Sequence, residues 1–316
     1  MDAHHRLCHL SRASYPWLEG PPVARYHGDD RPLRRDYLAD DYLADAVALQ
    51  ALGARLVGSV HVENGAADPL WESRWVNTVS AARGIPTVQV VKVDLASPTA
   101  QEQLAAHTAL PTVRGVRDIL NWHPDPLYTH RNRADLMTDP AWRAGLAAVA
   151  EAGLSFDLQV FPSQLQAAAA LAADHGDLPI VLDHAGMPIE RDRGALDRWK
   201  RDLTVFAAEP RTTVKISALG TNDHRWSLDS IRRVVLDTID VFGPSRCMVG
   251  SNFPVDGLYS TFDALYSAFM ELTSRFEPGE RADLFAGTAR RFYRMADRPA
   301  GTSVGEDAVP APDPTR

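Results

Sequence analysis

Residues Ser155–His184 read SFDLQVFPSQLQAAAALAADHGDLPIVLDH, and the order of these thirty residues decides the fold. A short run of branched and aromatic residues, Ser155–Phe161, gives way to an alanine- and leucine-rich segment over 164–174. A second short apolar run, Ile180–His184, follows it. That pattern is strand, helix, strand. A connection that carries a helix returns the second strand parallel to the first through a right-handed crossover. The same alternation extends in both directions. Strands are expected near Asp2–Leu7, Leu56–Glu63, Thr87–Asp94, Val113–Leu120, Thr213–Ser217 and Cys247–Asn252. Helices are expected near 40–52, 68–83, 99–108, 139–152, 194–208, 227–242 and 261–275. Asp139-Pro140 and Ser227-Leu-Asp-Ser read as helix N-termini, and Gly53, Gly84 and Gly153 sit where C-caps belong. Eight strands alternating with eight helices suit a single-domain α/β chain folded as a (β/α)8 TIM barrel, placed over residues 1–295. The remainder, 296–316, has no periodicity and is expected to be a disordered tail. Ser11–Arg35, with four prolines, is expected to form a long loop on the catalytic face.

Composition narrows the function classes. Lys plus Arg is 33 and Asp plus Glu is 41, a net charge of −8, which works against a nucleic-acid partner. No window approaches the roughly 18 apolar residues of a membrane span, and the N-terminus lacks a signal-peptide pattern. Two cysteines, Cys8 and Cys247, cannot build a disulfide framework, so a cytoplasmic location is expected. The expected partner is a small molecule; a homo-oligomer is compatible with these features.

In a barrel, chemistry gathers at the C-terminal ends of the strands, where apolar filling gives way to functional side chains. All eight expected strands finish in polar groups. Strand one carries His4 and Arg6, strand two His61 and Glu63, strand three Lys92 and Asp94, and strand four Arg114 and Arg117. Strand five ends Asp157-Leu-Gln159, strand six Asp183-His184, strand seven Lys215-Ile-Ser217 and strand eight Ser251-Asn252. Any one of these fits a solvated strand end or a local ion pair, such as Lys215 with Asp157 or Asp183. In a parallel sheet, covered on both faces, eight together point to a ligand pocket.

The opening Asp2-Ala3-His4-His5-Arg6-Leu7 resembles the Asp-x-His-x-His strand of the amidohydrolase superfamily. Pro179–Pro188 resembles the strand-six His-x-Gly-x-Pro segment of its amidohydrolase-related branch, and Val214–Ala218 the strand-seven Val-Lys-Leu-Ser-Gly. Met248–Pro254 resembles the strand-eight Phe-Gly-Ser-Asp-Trp-Pro, and Phe285–Tyr293 the closing helix. The resemblance implies a barrel hydrolase from a branch that includes sugar-lactone and pyrone- or muconolactone-type lactonases. It also implies a divalent metal, zinc, with His4 and His184 as the matching ligands, and a strand-eight carboxylate as general base. Two positions depart: Arg6 stands in place of the second histidine and Asn252 in place of the aspartate. The metal-ligand set is therefore incomplete, since catalytic zinc takes three protein ligands. Arg6 could polarise a carbonyl in the metal's stead. An amide cannot accept a proton from water, so the base falls to Asp256, His184, Glu63, His123 or His224.

Arg117, with Arg114 before it, could clamp a carboxylate, and Lys215 and Arg225 could add to the clamp. His61, Glu63, Gln159 and Ser217 complete the polar strand ends, and the loops 121–126 and 222–226 add His123 and His224 beside tryptophans. These features favour a lactonase-like hydrolase for a small carboxylated or sugar-derived cyclic ester. The alternatives are a metal-assisted decarboxylase and a binding protein on the same barrel that has lost its chemistry.

Overall fold

The computed structural model describes residues 1–296 apart from positions 22 and 24. Eight parallel strands form one sheet in chain order: β1 Asp2–His5, β2 Ser59–Val62, β3 Val88–Lys92, β4 Val113–Ile119, β5 Ser155–Gln159, β6 Ile180–Leu182, β7 Thr212–Ile216 and β8 Cys247–Val249. The sheet curls until its last strand meets its first. Asn252 N–H donates to the His4 carbonyl at 2.7 Å, and Arg6 N–H donates to the Phe253 carbonyl at 2.8 Å. Gly250 permits this approach, because a Cβ there would lie 2.8 Å from the His4 backbone nitrogen.

One helix follows each strand: α1 Ala39–Val47, α2 Pro69–Arg83, α3 Ala100–Thr108, α4 Pro140–Glu151, α5 Leu165–Asp174, α6 Arg193–Ala207, α7 Leu228–Phe242 and α8 Phe262–Leu272. Two short helices, α9 Pro278–Ala282 and α10 Thr288–Phe292, come after them. The expected start signals are realised. Asp139 caps α4 by accepting from the Ala141 and Trp142 amides at 2.9 and 3.1 Å, and Ser227 caps α7. No helix among the described residues is long and apolar enough to cross a membrane.

Strand alternation divides the side chains into two sets. Val116, Phe156, Leu158, Val214 and Ile216 pack outward under the helices. Ala3, Val60, Val62, Val90, Val181 and Met248 fill the barrel's closed end with Tyr293. The strands stop short of their expected C-terminal limits, because residues such as Glu63 and His184 leave the ladder and turn into the barrel mouth. From residue 297 on, the expected tail lies outside the described residues.

Candidate active site

The mouth is built on a buried ionic floor. β5 and β7 point Asp157 and Lys215 inward, where the Lys215 ammonium meets Asp157 Oδ2 at 2.5 Å and Asp183 Oδ1 at 3.2 Å. The Tyr293 hydroxyl donates to Asp157 Oδ2 at 2.7 Å. Burial raises the Asp157 carboxyl to about 6 against the pull of Lys215. His4 reaches the floor through an extra residue in β1: Asp2 pairs with Ser59 but His5 with His61, three steps against two. Asp2 and His5 turn outward toward Tyr42, and His4 Nδ1 lies 3.3 Å from Lys215 Nζ.

His184 stands above, its ring centre 4.5 Å from that of His4, with Nδ1 2.8 Å from Ser217 Oγ. Its backbone is left-handed at φ 59°, and Ala185, Met187, Ala218 and Asn252 share that region at the ends of β6, β7 and β8. Such strain costs about 1–3 kcal/mol per residue and gathers where a site must be aimed. Burial holds the His4 and His184 imidazoles well below their ordinary basicity, so both are neutral near pH 7.

Of the four arginines that line the cavity, Arg6 and Arg117 are the deeply buried ones. Arg117 donates from Nε to Glu63 Oε1 at 2.7 Å, from Nη2 to the Glu63 carbonyl at 2.9 Å and from Nη1 to Gln159 at 3.2 Å. Burial would raise the Glu63 carboxyl, but Arg117 and then Lys92 hold it below its usual range. Arg6 donates to Asn252 Oδ1 and, among the described residues, has no carboxylate within 4.0 Å. Burial, reinforced by Arg117, lowers it to about 10. The Asn252 amide donates in turn to Asp256 Oδ1 at 3.2 Å. Thr221 and the Gly220 amide also donate to Asp256, at 2.7 and 3.3 Å. Asp256 therefore orients Asn252, and through it Arg6.

These groups surround a cavity of about 420 Å³ at the C-terminal end of the barrel. Arg6, Glu63, Arg117, Gln159, His184 and Asn252 line it. The loop between β1 and α1 forms one wall through Trp17, Tyr26 and His27, as its length and prolines predict. Trp17 Nε1 donates to the Asn64 carbonyl at 2.6 Å. His224 Nε2 lies 3.0 Å from the Tyr26 carbonyl, and the Tyr259 hydroxyl donates to the His27 carbonyl at 2.7 Å. These two rings stack at 4.2 Å and hold the loop from outside.

Several residues expected at the site stand elsewhere. His61 faces the helices, because the alternation that puts Val60 and Val62 inside puts His61 outside; its Nδ1 accepts from the Leu7 amide at 3.1 Å. Asp256 is buried behind Asn252 and is not a cavity wall. Lys215 and Ser217 lie beneath and behind the histidines. His123 packs against Tyr128 and Phe161, and His224 and Arg225 are exposed. Arg114 begins β4 at the closed end, where it donates to the Pro111 and Val113 carbonyls at 2.8 Å, so it forms no clamp with Arg117. Sequence reasoning named Lys92 only as a polar strand end and passed over Tyr26, His27, His130 and Arg131; all five line the cavity. For Lys92 the signal was present, since it follows Val88 and Val90 in the inward phase of β3. For His130 and Arg131, in a loop without periodicity, there was none.

His4, Asp183 and His184 place one donor atom each within 4.8 Å of one another, and His4 Nε2 and both Asp183 oxygens lack hydrogen-bond partners. By residue type these could hold zinc. Their surroundings do not favour it. His4 Nδ1 lies 3.3 Å from Lys215 Nζ and 3.4 Å from Asp183 Oδ1, so a lysine side chain already stands among these donor atoms. The same ammonium already supplies a cation to Asp183. Arg6 adds fixed positive charge at the mouth, opposing a dication.

The amidohydrolase family model, Amidohydro_2, matches residues 1–295. The L-fucono-1,5-lactonase of Burkholderia multivorans is 31% identical over 309 residues, covering 94% of this chain and 96% of that protein. The uncharacterized protein y4mH of Sinorhizobium fredii is 34% identical over 297 residues, covering 93% and 98%. An amidohydrolase of Burkholderia multivorans, solved with bound zinc, superposes with a TM-score of 0.79 at 28% identity over 93% of this chain and 99% of that one. With its barrel and its matching relatives, this chain belongs to the amidohydrolase family and is a hydrolase of that fold.

Proposed function

We propose that the protein opens a small lactone by adding water to its carbonyl, giving a hydroxy acid. The observation that carries this reading is Arg6, a buried guanidinium with no carboxylate within 4.0 Å among the described residues, beside a neutral His184 in a cavity of about 420 Å³. The lactonase named in Burkholderia multivorans supports the same reaction class. His184, held through Nδ1 by Ser217, takes a proton from water at Nε2. The adjacent Asp183 carboxylate favours the imidazolium that forms. Arg6, aimed by Asn252 and Asp256, faces the oxygen on which charge develops. Arg117, fixed by Glu63 and Gln159, positions the ester. Collapse of the tetrahedral intermediate breaks the acyl–oxygen bond, and the proton on Nε2 passes to the ring oxygen. No metal enters these steps. Decarboxylation has weaker support: the decarboxylases that superpose are about 15% identical and share the fold alone.

A panel of five- and six-membered lactones, assayed by proton release with chelator present, tests the reading. Turnover is expected, with kcat reduced about 10²- to 10⁴-fold in His184→Asn. Absence of turnover, with retained binding of hydroxy acids, would instead support a binding protein.

A further inference from the structure

Two buried side chains outside the barrel, His61 and Glu72, stand behind the cavity and take no part in the steps proposed for hydrolysis. β1 ends at His5 and β2 at Val62, so Arg6 and Glu63 are the first residues past the ladder. The peptide before each is held by backbone. Arg6 N–H donates to the Phe253 carbonyl at 2.8 Å, and Glu63 N–H donates to the Val90 carbonyl at 2.9 Å. The peptide after each is held by a side chain instead. The Leu7 amide donates to His61 Nδ1 at 3.1 Å, and the Asn64 amide donates to Glu72 Oε1 at 2.6 Å.

These two side chains also face each other. A backbone amide only donates, so His61 Nδ1 offers its lone pair and the ring proton lies on Nε2, 3.4 Å from Glu72 Oε1. Glu72 lies in the first turn of α2, where the helix dipole favours a carboxylate, but no lysine or arginine among the described residues is within 4.0 Å of it. Burying a carboxylate without such a partner is costly, and a neutral amide would hold one backbone N–H at lower cost. The charge has a further reach. The Asn64 N–H belongs to the peptide whose carbonyl, that of Glu63, accepts from Arg117 Nη2 at 2.9 Å. Glu72, this peptide and Arg117 thus form one chain of hydrogen bonds, each polarising the next. The Leu7 N–H belongs to the peptide that follows Arg6. A single pair therefore fixes the backbone of Arg6 and that of Glu63, the residue that holds Arg117.

We infer that His61 and Glu72 are positioning residues of this site, His61 setting the aim of Arg6 and Glu72 that of Arg117. This inference rests on the lactonase reading, in which Arg6 faces the developing charge and Arg117 positions the ester. The two arms should then separate in the kinetics. Slack at Arg6 lowers kcat, and slack at Arg117 raises KM. A pair that served stability alone would change both together or neither.

The test compares wild type with His61→Leu, His61→Asn, Glu72→Met and Glu72→Gln on five- and six-membered lactones. His61→Leu should lower kcat about 5- to 10-fold with KM within about two-fold, the range of one lost hydrogen bond. His61→Asn, whose Oδ1 accepts from the Leu7 amide, should restore most of it. Glu72→Met should raise KM about 5- to 10-fold with kcat within about two-fold, and Glu72→Gln, which keeps an acceptor for Asn64, should restore most of that. If Glu72→Met does not fold, Glu72→Asp, a carboxylate drawn back by one methylene, takes its place with the same expectation. Parallel changes in kcat and KM, no rescue by the conservative variants, or wild-type kinetics throughout overturns the inference and leaves lactone hydrolysis standing. If no lactone turns over, the lactonase reading fails, and the arginine Nε–H signals in NMR spectra, assigned with Arg6→Met and Arg117→Met, decide the role of the pair. His61→Leu should shift the Arg6 signal alone and Glu72→Met the Arg117 signal alone. Signals that keep their wild-type positions overturn the inference.

Discussion

Asn252 shows how far one side chain's meaning depends on its neighbours. From sequence it stands where a general base would be expected, and Asn252→Asp together with Arg6→His reads as a repair. In the structure the Asn252 amide lies between Arg6 and Asp256 and satisfies both, with Oδ1 toward the guanidinium and Nδ2 toward the carboxylate. Asn252→Asp would set two carboxylates about a hydrogen-bond length apart inside the protein, since Nδ2 now stands 3.2 Å from Asp256 Oδ1. The substitution is expected to lower stability by about 1–3 kcal/mol and to reduce activity, read by denaturant unfolding and kcat/KM. A gain in activity would return the proton-accepting role to position 252. Arg6→Met removes the cation that faces the oxyanion and should cost about 10²- to 10³-fold in kcat while leaving KM within a few-fold.

The loop joining β1 to α1 is the element that turns an open barrel end into an enclosed cavity. Its hold on the barrel is external: Tyr259 and His224 bond the carbonyls of His27 and Tyr26. Gly28, at φ 88°, lies so close to the Tyr259 hydroxyl that a Cβ would collide with it. Gly28→Ala is expected to lift this segment, raising KM more than it changes kcat and exposing residues 16–31 to limited proteolysis. An unchanged KM and cleavage pattern would mean that the loop is held by its other contacts, Trp17 on the Asn64 carbonyl and the Ala67 amide on the Ser14 carbonyl. The existence of this loop was legible in its prolines and length. Its clamp was not, because His224 and Tyr259 come from loops about 200 residues away and carry no local signal. Strands and helices were legible for the opposite reason: their apolar periods and caps are local, and Asp139 and Ser227 cap helices where the sequence predicts. Errors concentrated at residues whose facing depends on the ladder's phase, as with His61, or on which end of a strand they occupy, as with Arg114.

The protein as a whole buries more ionisable groups than a barrel core requires, and this makes its stability depend on pH. Burial depresses the basicity of His4, His5, His27, His107, His130 and His184. An unfolded chain takes up protons on these residues near pH 6.5, whereas the folded chain does not, so their contribution is lost as pH falls. Asp2, Asp118, Asp157 and Asp256 are raised and act in the opposite sense, stabilising the fold at low pH until they ionise. Six groups oppose four, so Tm should fall between pH 7.5 and pH 5.5; a flat or rising Tm would show that the buried carboxyls dominate. The ordered motifs at the strand ends made the barrel and the family legible. What lay beyond them was the charge balance, in which Lys215 lies beside Asp157, Asp183 and His4 at once and Arg6, among the described residues, has no carboxylate within 4.0 Å. The test of that balance is lactone hydrolysis after exhaustive chelation, with wild type and Arg6→Met compared on one panel. Full activity in the chelated wild type, and its loss in Arg6→Met, is the predicted result. Activity abolished by chelation and restored by zinc would contradict a site whose positive charge comes from its own side chains.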